Sequence, residues 1–264
     1  MSSYRRIKVT ALAGFALLAS PLLSVAQQPD TVQRQHTATI RRGTTLLHDA
    51  FLAPDTASGA TTSFQYKFSA RSSNRYSSLT AGYGQNNASA SDAALKAHSV
   101  SLSWSDGFRV FKKASNRLSA YTGYRIEAAA LGASSTGKAT GRSSWNTFTT
   151  LSLYQSVAYT AGSHALSLEV SVPLAGLYSR PAGWYHTGDN YTTDNVLASL
   201  YTGSSFVSLH NYRAVDARLA YSRQLSRRLG LSLHYDFLFK NDRQQNRFYY
   251  KEHGLGVSVS YGLR

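Results

Sequence analysis

The sequence contains no cysteine, and this absence excludes several classes of protein together. None of the 264 residues can form a disulfide, ligate a metal through a thiolate or carry a cysteine-linked lipid anchor. Long apolar runs are also scarce: apart from residues 9–23, no stretch approaches the ~18 consecutive apolar residues of a membrane-spanning helix. The chain must therefore be stabilised without disulfides, and we predict neither a metal nor another cofactor.

The N-terminus has the three parts of a secretory signal peptide. Arg5, Arg6 and Lys8 form a basic start, residues 9–23 an apolar core, and Ser24 to Ala26 a small-x-small cleavage site. This pattern predicts Sec export, cleavage near Ala26, and a polar, flexible leader over residues 27–36.

The chain is strongly basic. Its formal charge is +15, and loss of the three cations in residues 1–26 lowers it to +12. The remaining Lys and Arg residues are scattered singly between candidate strands, without a basic helix or an aromatic stacking platform, so we predict no nucleic-acid partner. A bacterial envelope rich in anionic lipid is the better match.

Apolar and small or polar residues alternate through most of the chain, most clearly after residue 228. A period of two indicates extended strands, and runs of about 9–11 residues suit strands that cross a bilayer at a tilt. The apolar positions of the last two runs are Leu229, Leu231, Leu233, Tyr235, Phe237, Phe239, Leu255, Val257, Val259, Tyr261 and Leu263. Serine and glycine dominate the other face, as in a wet barrel interior.

Connections between the strands alternate in length. Short turns are predicted near residues 71–75, 161–163 and 225–228, and long loops at 84–97, 128–144 and 240–252. This asymmetry is typical of outer-membrane barrels, which have short periplasmic turns and long extracellular loops. With a weak first strand at 37–47 the count is ten, and a further hairpin within 174–212 would make twelve.

We therefore predict one all-β domain over residues 37–264, an antiparallel up-and-down transmembrane β-barrel. The segment from Glu252 to Val259, a polar residue and a glycine followed by spaced apolar positions, resembles the assembly signal of bacterial outer-membrane barrels, although the chain ends in Leu263 and Arg264 instead of an aromatic residue. The resemblance implies outer-membrane location, recognition by the barrel assembly machinery, and contact with outer-membrane lipid and lipopolysaccharide.

Three groups of candidate functional residues follow from this fold. Charged residues on the polar strand faces are expected to form a compensating lumen network: Lys67, Arg125, Glu127, Glu169, Asp216, Arg218, His234 and Asp236, with Lys240. Aromatic girdles are expected from Trp104, Tyr159, Tyr221 and Tyr261 near the short turns, and from Tyr83 and Tyr124 near the long loops. Extracellular partner contacts are expected from Trp184, Tyr185, His186 and Tyr191.

The predicted function is a structural, adhesive or small-solute transport role, with the surface ligand or solute unidentified and no catalytic residue. One alternative is a barrel-embedded lipid hydrolase that uses His234 or His186. Ser232, His234 and Asp236 share a strand face, but neighbours at i and i+2 lie ~6.6 Å apart along a strand, too far for a nucleophile and its base. A second alternative is a secreted soluble β-sandwich, which would bury the apolar faces inside.

Overall fold

The chain folds into one closed antiparallel sheet. The computed structural model describes residues 32–49, 55–90, 93–112, 117–137, 143–179, 204–242 and 248–263. Residues Gln33–Arg264 form one compact unit. The predicted signal peptide and residues 27–31 of the leader lie outside the described residues. No helix in the described part of the chain is long and apolar enough to cross a membrane.

Within the described ranges, eleven strands make up the sheet. They are β1 (Gln33–His48), β2 (Ala57–Arg71), β3 (Arg75–Ser89), β4 (Ala93–Lys112), β5 (Leu118–Gly137), β6 (Ser143–Ala161), β7 (His164–Ser179), β8 (Ser205–Ser208), β9 (Tyr212–Gln224), β10 (Leu229–Asp242) and β11 (Phe248–Leu263). The first strand begins at Gln33, so residues 33–36 of the predicted leader belong to the barrel.

Ten of these strands close a ring. Consecutive strands pair from β1 to β7, then β7 pairs with β9, β9 with β10 and β10 with β11. The ring is closed by β1 and β11, which pair from Arg34 opposite Leu263 to His48 opposite Tyr249. The prediction of a ten-stranded up-and-down barrel is confirmed. Closure pairs both edges of the described sheet. An open edge would leave backbone groups that lipid cannot satisfy.

The short strand β8 is additional to the ring. It pairs with Ala175–Tyr178 of β7, beyond the point where β7 pairs with β9. Because β6 occupies the other edge of β7, β8 lies on the same edge as β9 and precedes it in the chain, before the turn at residues 209–211. Besides the end of β7 and the first residue of β9, the described part of segment 174–212 therefore adds the four residues of β8 and not a further hairpin.

The apolar faces of the strands point outward over much of the barrel. Leu255 is 61% exposed, and Leu233, Val257 and Val259 are similarly open on the outer surface. The interior faces of the same strands carry His234, Ser258 and other buried polar groups. A sandwich would bury the apolar side, so the soluble β-sandwich alternative is wrong.

Both termini of the barrel and the predicted short turns lie at one end, here called the turn end. Residues 72–74, 162–163 and 225–228 connect the strands there, as predicted. Gly162 has a φ of 59°, a left-handed conformation that glycine adopts without a Cβ penalty. The opposite end is called the loop end.

The predicted long loops are mostly strand. Residues 84–97 lie largely in β3 and β4, 128–144 largely in β5 and β6, and 240–252 partly in β10 and β11. Both β4 and β5 are 20 residues long, about twice the length that spans a bilayer. The strands therefore continue beyond the outward apolar band at the loop end, where β2 begins at Ala57.

Polarity reverses where these extensions begin. On β4, Val100 faces outward but Leu95 and Ala97 face inward and are buried. On β11, Val257 faces outward whereas Phe248 and Tyr250 are buried inside. A strand leaving lipid for water must move its apolar side chains from the outer to the inner face, which breaks the alternation used to predict it.

Candidate functional site: the barrel interior

The barrel interior has three levels that differ in chemistry. An apolar plug fills the loop end, a charge network fills the middle, and a tyrosine layer lies at the turn end. Each level is built by inward-facing residues of many strands, so closure of the ring is what brings together residues far apart in sequence.

The charge network contains five cations and five carboxylates. Its members are Arg41, Lys67, Arg125, Arg218, Lys240, Glu127, Glu169, Asp216, Asp236 and Glu252. Equal numbers of opposite charges allow each buried ion to be paired, which a low-dielectric interior requires.

Asp236 is the best-connected carboxylate of the network. Its two oxygens accept hydrogen bonds from Nε and Nη2 of Arg218 at 2.6 and 3.0 Å. Arg41 donates to the same carboxylate at 3.4 Å and also pairs with Glu252. Arg218 donates further to Gln65 at 2.7 Å. This part of the network joins β1, β2, β9, β10 and β11.

A second group of ion pairs connects the other side of the barrel. Arg125 contacts Asp216 at 2.6 Å and Glu127 at 3.3 Å, and Lys240 contacts Glu127 at 3.2 Å. Lys67 contacts both oxygens of Glu169, at 3.1 and 3.3 Å. These pairs span strands that are distant in sequence and brace the ring across its interior.

All eight predicted network residues and Lys240 face the interior, and the structure adds Arg41 and Glu252. Neither addition was predicted from the sequence. Arg42 and Gly43 interrupt the alternating pattern next to Arg41, and Glu252 lies in a segment predicted as loop. Their inward orientation follows from the register that pairs Arg41 with Gly256 and Ser63.

One wall of the interior carries hydroxyls and glycines instead of charges. We call the inward residues of β3 and β4 the serine wall: Ser78, Thr80, Gly82, Gly84, Ser99, Ser101, Ser103 and Ser105. Between this wall and the charge network lies a polar cavity of about 140 Å³. One water molecule occupies ~30 Å³ of liquid, so the cavity has room for several.

The apolar plug closes the interior at the loop end. It contains Leu47, Ala57, Ala88, Leu95, Ala97, Leu131, Ala133, Phe148, Tyr178, Val207, Tyr212, Ala214, Phe248 and Tyr250. Phe148 is central, because its ring lies 4.9 Å from that of Tyr178, 5.6 Å from Phe248 and 5.9 Å from Tyr212 between centroids. The sequence reasoning missed the plug, since half of its residues, among them Leu95, Leu131 and Phe248, fall in segments predicted as loops.

The tyrosine layer consists of Tyr76, Tyr121 and Tyr154, all buried. The ring of Tyr76 lies 6.0 Å from Tyr121 and 6.3 Å from Tyr154. The Lys67 ammonium lies 5.5 Å from the centre of the Tyr76 ring, which connects this layer to the charge network.

The predicted girdle residues lie on the outer surface. Five of them are in the turn-end half of their strands: Trp104, Tyr124, Tyr159, Tyr221 and Tyr261. Tyr83 lies in the loop-end half of β3 and bonds His98 at 2.8 Å. Tyr124 differs from the expected placement near the long loops, because it lies six residues into β5 and its ring contacts that of Trp104 at 5.3 Å. Which end of the barrel an aromatic residue lies near depends on where its strand begins and ends, and the alternating pattern did not locate the ends of β5.

The predicted extracellular contact residues and a possible metal site are considered together here. Trp184, Tyr185, His186 and Tyr191 lie outside the described residues. Within the described ranges, no group of three or more His, Cys, Asp and Glu side chains is placed to hold a metal ion.

The histidine of the hydrolase alternative lies deep inside the barrel. His234 is 2% exposed, and its Nδ1 lies 3.3 Å from Ser258 Oγ while Nε2 lies 3.5 Å from Asp236. Ser232 instead donates to Ser222 at 2.8 Å. Asp236 is already engaged by two arginines, and neither His234 nor Ser258 lines the cavity. The arrangement has the residue types of a triad without access for a lipid.

No protein-family model matches the chain, and no curated protein matches it in sequence. Solved structures do match. The translocator domain of the autotransporter NalP from Neisseria meningitidis is 15% identical, with 95% of this chain and 97% of that chain covered at a TM-score of 0.50. The outer-membrane protease OmpT from Escherichia coli is 7% identical, with 91% and 100% covered at 0.49. The similarity to the NalP translocator domain shows that the chain shares the fold of this outer-membrane β-barrel.

Proposed function

We propose that this protein is a closed outer-membrane barrel with a structural or adhesive role, not an open pore. The observation that carries the proposal is the apolar plug, which fills the loop end where a pore would need a wet opening. Barrels of about ten strands are filled by side chains, whereas water-filled channels occur in barrels of ~16 to 18 strands.

The outer surface supports insertion in the outer membrane after Sec export and cleavage near Ala26. Outward Leu, Val, Phe and Tyr side chains would contact lipid tails, and closure satisfies the backbone groups that lipid cannot. We place the turn end in the periplasm and the loop end outside the cell, following the short and long connections of known barrels.

The proposed partners follow from this placement. Outer-membrane lipid and lipopolysaccharide would surround the apolar band, and the barrel assembly machinery would recognise β11. The extracellular surface would be the folded loop-end extension, whose outward side chains include Arg42, Gln85, Asn87 and Lys96. A polar, strand-based surface of this kind is a rigid platform for contact with a surface ligand.

Planar-bilayer recordings test the closed state. The protein, refolded and purified as the form that migrates faster on gels without boiling, should insert without a steady conductance. A sustained ohmic current from the wild-type barrel would contradict the proposal. Phe64, an outward residue, provides a matched control for Phe148. If loss of the plug opens the barrel, Phe148→Ser should increase the frequency of current events and Phe64→Ser should not.

Small-solute transport is the second candidate, and the polar cavity favours it. The serine wall offers hydroxyls to a hydrated solute along one side of the charge network. Transport requires the plug to move, so liposomes containing the protein should swell in a small polyol such as glycerol but not in a larger sugar such as stachyose. No swelling with either solute would leave the closed scaffold as the supported role.

We propose that the protein is not a lipid hydrolase, because His234 and Ser258 are enclosed. The test is incubation of the folded protein with phospholipid vesicles and measurement of released fatty acid. Release that disappears in His234→Ala, with the gel shift retained, would overturn this assignment.

A further inference from the structure

Two arginines at the turn end differ from the other inward-facing cations. Among the described residues, each inward cation of the charge network lies within ion-pair distance of a carboxylate. Arg71 and Arg109 face the interior at the mouth of the barrel, and none of the described carboxylates pairs with them. Two unneutralised guanidinium groups at one opening favour an anion.

The tyrosine layer holds these two arginines together. The guanidinium carbons of Arg71 and Arg109 both lie 5.3 Å from the centre of the Tyr121 ring. Arg71 also lies 5.5 Å from the Tyr76 ring. Aromatic faces attract cations, so the rings gather two like charges that would otherwise repel each other.

Arg109 is fixed more firmly than a surface arginine. Its Nε and Nη2 donate to the Tyr121 hydroxyl at 3.2 and 2.7 Å, and its backbone N–H donates to the Asn74 carbonyl at 2.8 Å. Immediately after Arg109, the pairing of β4 with β5 shifts its register, between Arg109 and Phe111. Bulges at barrel rims often re-aim neighbouring side chains; here Val110 and Phe111 both face outward while Arg109 faces in.

The surrounding end of the barrel is also basic. Further arginines at the turn end are Arg34, Arg75, Arg117, Arg223, Arg227 and Arg228. The described residues of this end include a single carboxylate, Asp106. Arg75 already binds both of its oxygens, at 2.8 and 2.9 Å. The local field therefore attracts anions toward the mouth.

We infer that Arg71 and Arg109 form a binding site for a phosphate group at the turn-end mouth. The planar guanidinium donates two parallel N–H bonds to a phosphate, which suits arginine better than lysine for this ligand. Arg109 is held by Tyr121 and Arg71 is exposed at the rim, so one group is preorganised and the other can close on the anion. This inference goes beyond the scaffold role and does not depend on whether the barrel conducts.

The direct test is titration of inorganic phosphate into the folded barrel in a zwitterionic detergent, by calorimetry at fixed ionic strength. Wild type should bind phosphate saturably, and Arg71→Gln with Arg109→Gln should weaken binding at least about tenfold. The control is Arg223→Gln with Arg228→Gln, which removes the same charge from outward or turn positions at the same end. It should leave the affinity within about twofold.

Two results would overturn the inference: no saturable binding by wild type, or an equal loss in both double variants, which would indicate diffuse electrostatic attraction. The gel shift on heating verifies that each variant is folded. Tyr121→Phe gives an independent reading, because it keeps the ring but removes the hydroxyl that holds Arg109. It should weaken phosphate binding less than the double arginine variant does.

The phosphate could belong to a lipid headgroup or to a soluble compound, and competition distinguishes them. If phosphatidylglycerol added to the micelles displaces inorganic phosphate, the site takes a lipid headgroup. If phosphate binding is unchanged by phosphatidylglycerol, the site takes a soluble phosphate compound. Both outcomes support the site and assign its source.

Discussion

Removal of the Asp236 carboxylate is expected to destabilise the barrel by about 3–5 kcal/mol. The side chain is 4% exposed and accepts three N–H groups, two from Arg218 and one from Arg41. Arg41 keeps Glu252 and Ser63 in Asp236→Ala, but Arg218 keeps Gln65 as its hydrogen-bond acceptor, with Glu169 in the opposite register position. The main cost is therefore the partly buried guanidinium of Arg218 without the carboxylate that pairs with it directly.

Asp216 provides a matched comparison within the same interior. It is also an aspartate paired with an arginine, Arg125, at 2.6 Å, but its side chain is 34% exposed. Water can replace part of the lost interaction, and Arg125 retains Glu127. We expect Asp216→Ala to cost about 1–2 kcal/mol, between the values for exposed and buried pairs.

Urea titration of the refolded barrel in lipid vesicles, followed by tryptophan fluorescence and the gel shift, measures these differences. A double-mutant cycle adds Arg218→Leu to Asp236→Leu. Removing both charges should cost less than the sum of the single changes, because neither ion is left unpaired. Equal costs for Asp236→Ala and Asp216→Ala, or additive costs in the cycle, would refute the assignment of Asp236 as the centre of the network.

Three further predictions concern the packing of the barrel. Phe148→Ala should lower the free energy of unfolding by about 3–5 kcal/mol through a cavity in the plug, measured by the same titration, with insertion into vesicles retained. Val257→Arg, in the middle of the outward band of β11, should cost about 2–4 kcal/mol, whereas Leu263→Arg at the strand end should cost about 0–1 kcal/mol. Gly43→Val should prevent closure and abolish the gel shift, because a Cβ there would lie 2.5 Å from Gly254 Cα; a normal shift would contradict this.

The outward faces and the short turns were accessible to sequence reasoning because each depends on local pattern. Leu231, Leu233 and Tyr235 repeat every second residue and face outward together, and the turn at Gly162 follows from a short interruption by small residues. The strand count of ten also followed, since each run needs only to be recognised once. These features require no knowledge of which strands meet.

The interior could not be predicted to the same depth. Arg41 and Glu252 pair across 211 positions of sequence, and only closure of β1 on β11 brings them together. Arg109 stands opposite Tyr121 in the register of β4 and β5, whereas Arg71 reaches the same ring from β2 across the curved interior. An alternating pattern specifies which face a side chain takes, but the partner on that face depends on register and ring size.

The reversal of polarity explains both the missed plug and the misplaced loops. In β5, Ile126 faces outward, whereas Leu131 and Ala133 face inward between small outward residues. Where the apolar residues change face, two consecutive half-patterns of opposite phase read as an irregular segment. A search that allows one phase change per strand would have extended β3, β4 and β5 toward the loop end.

Glycines face inward along β11, and they explain how the interior accommodates a buried imidazole ring and a close approach of β1. Gly256 pairs in register with Arg41 and with His234, and a Cβ there would clash with Nε2 of the His234 ring. A Cβ on Gly254 would instead meet backbone atoms of Arg42 and Gly43 on β1. Bare backbone on β11 therefore leaves the volume that the His234 ring occupies and lets β1 approach β11. The alternation of glycine with leucine and valine in this strand encodes two requirements together, since the outer surface carries the large apolar residues and the inner face needs the empty positions.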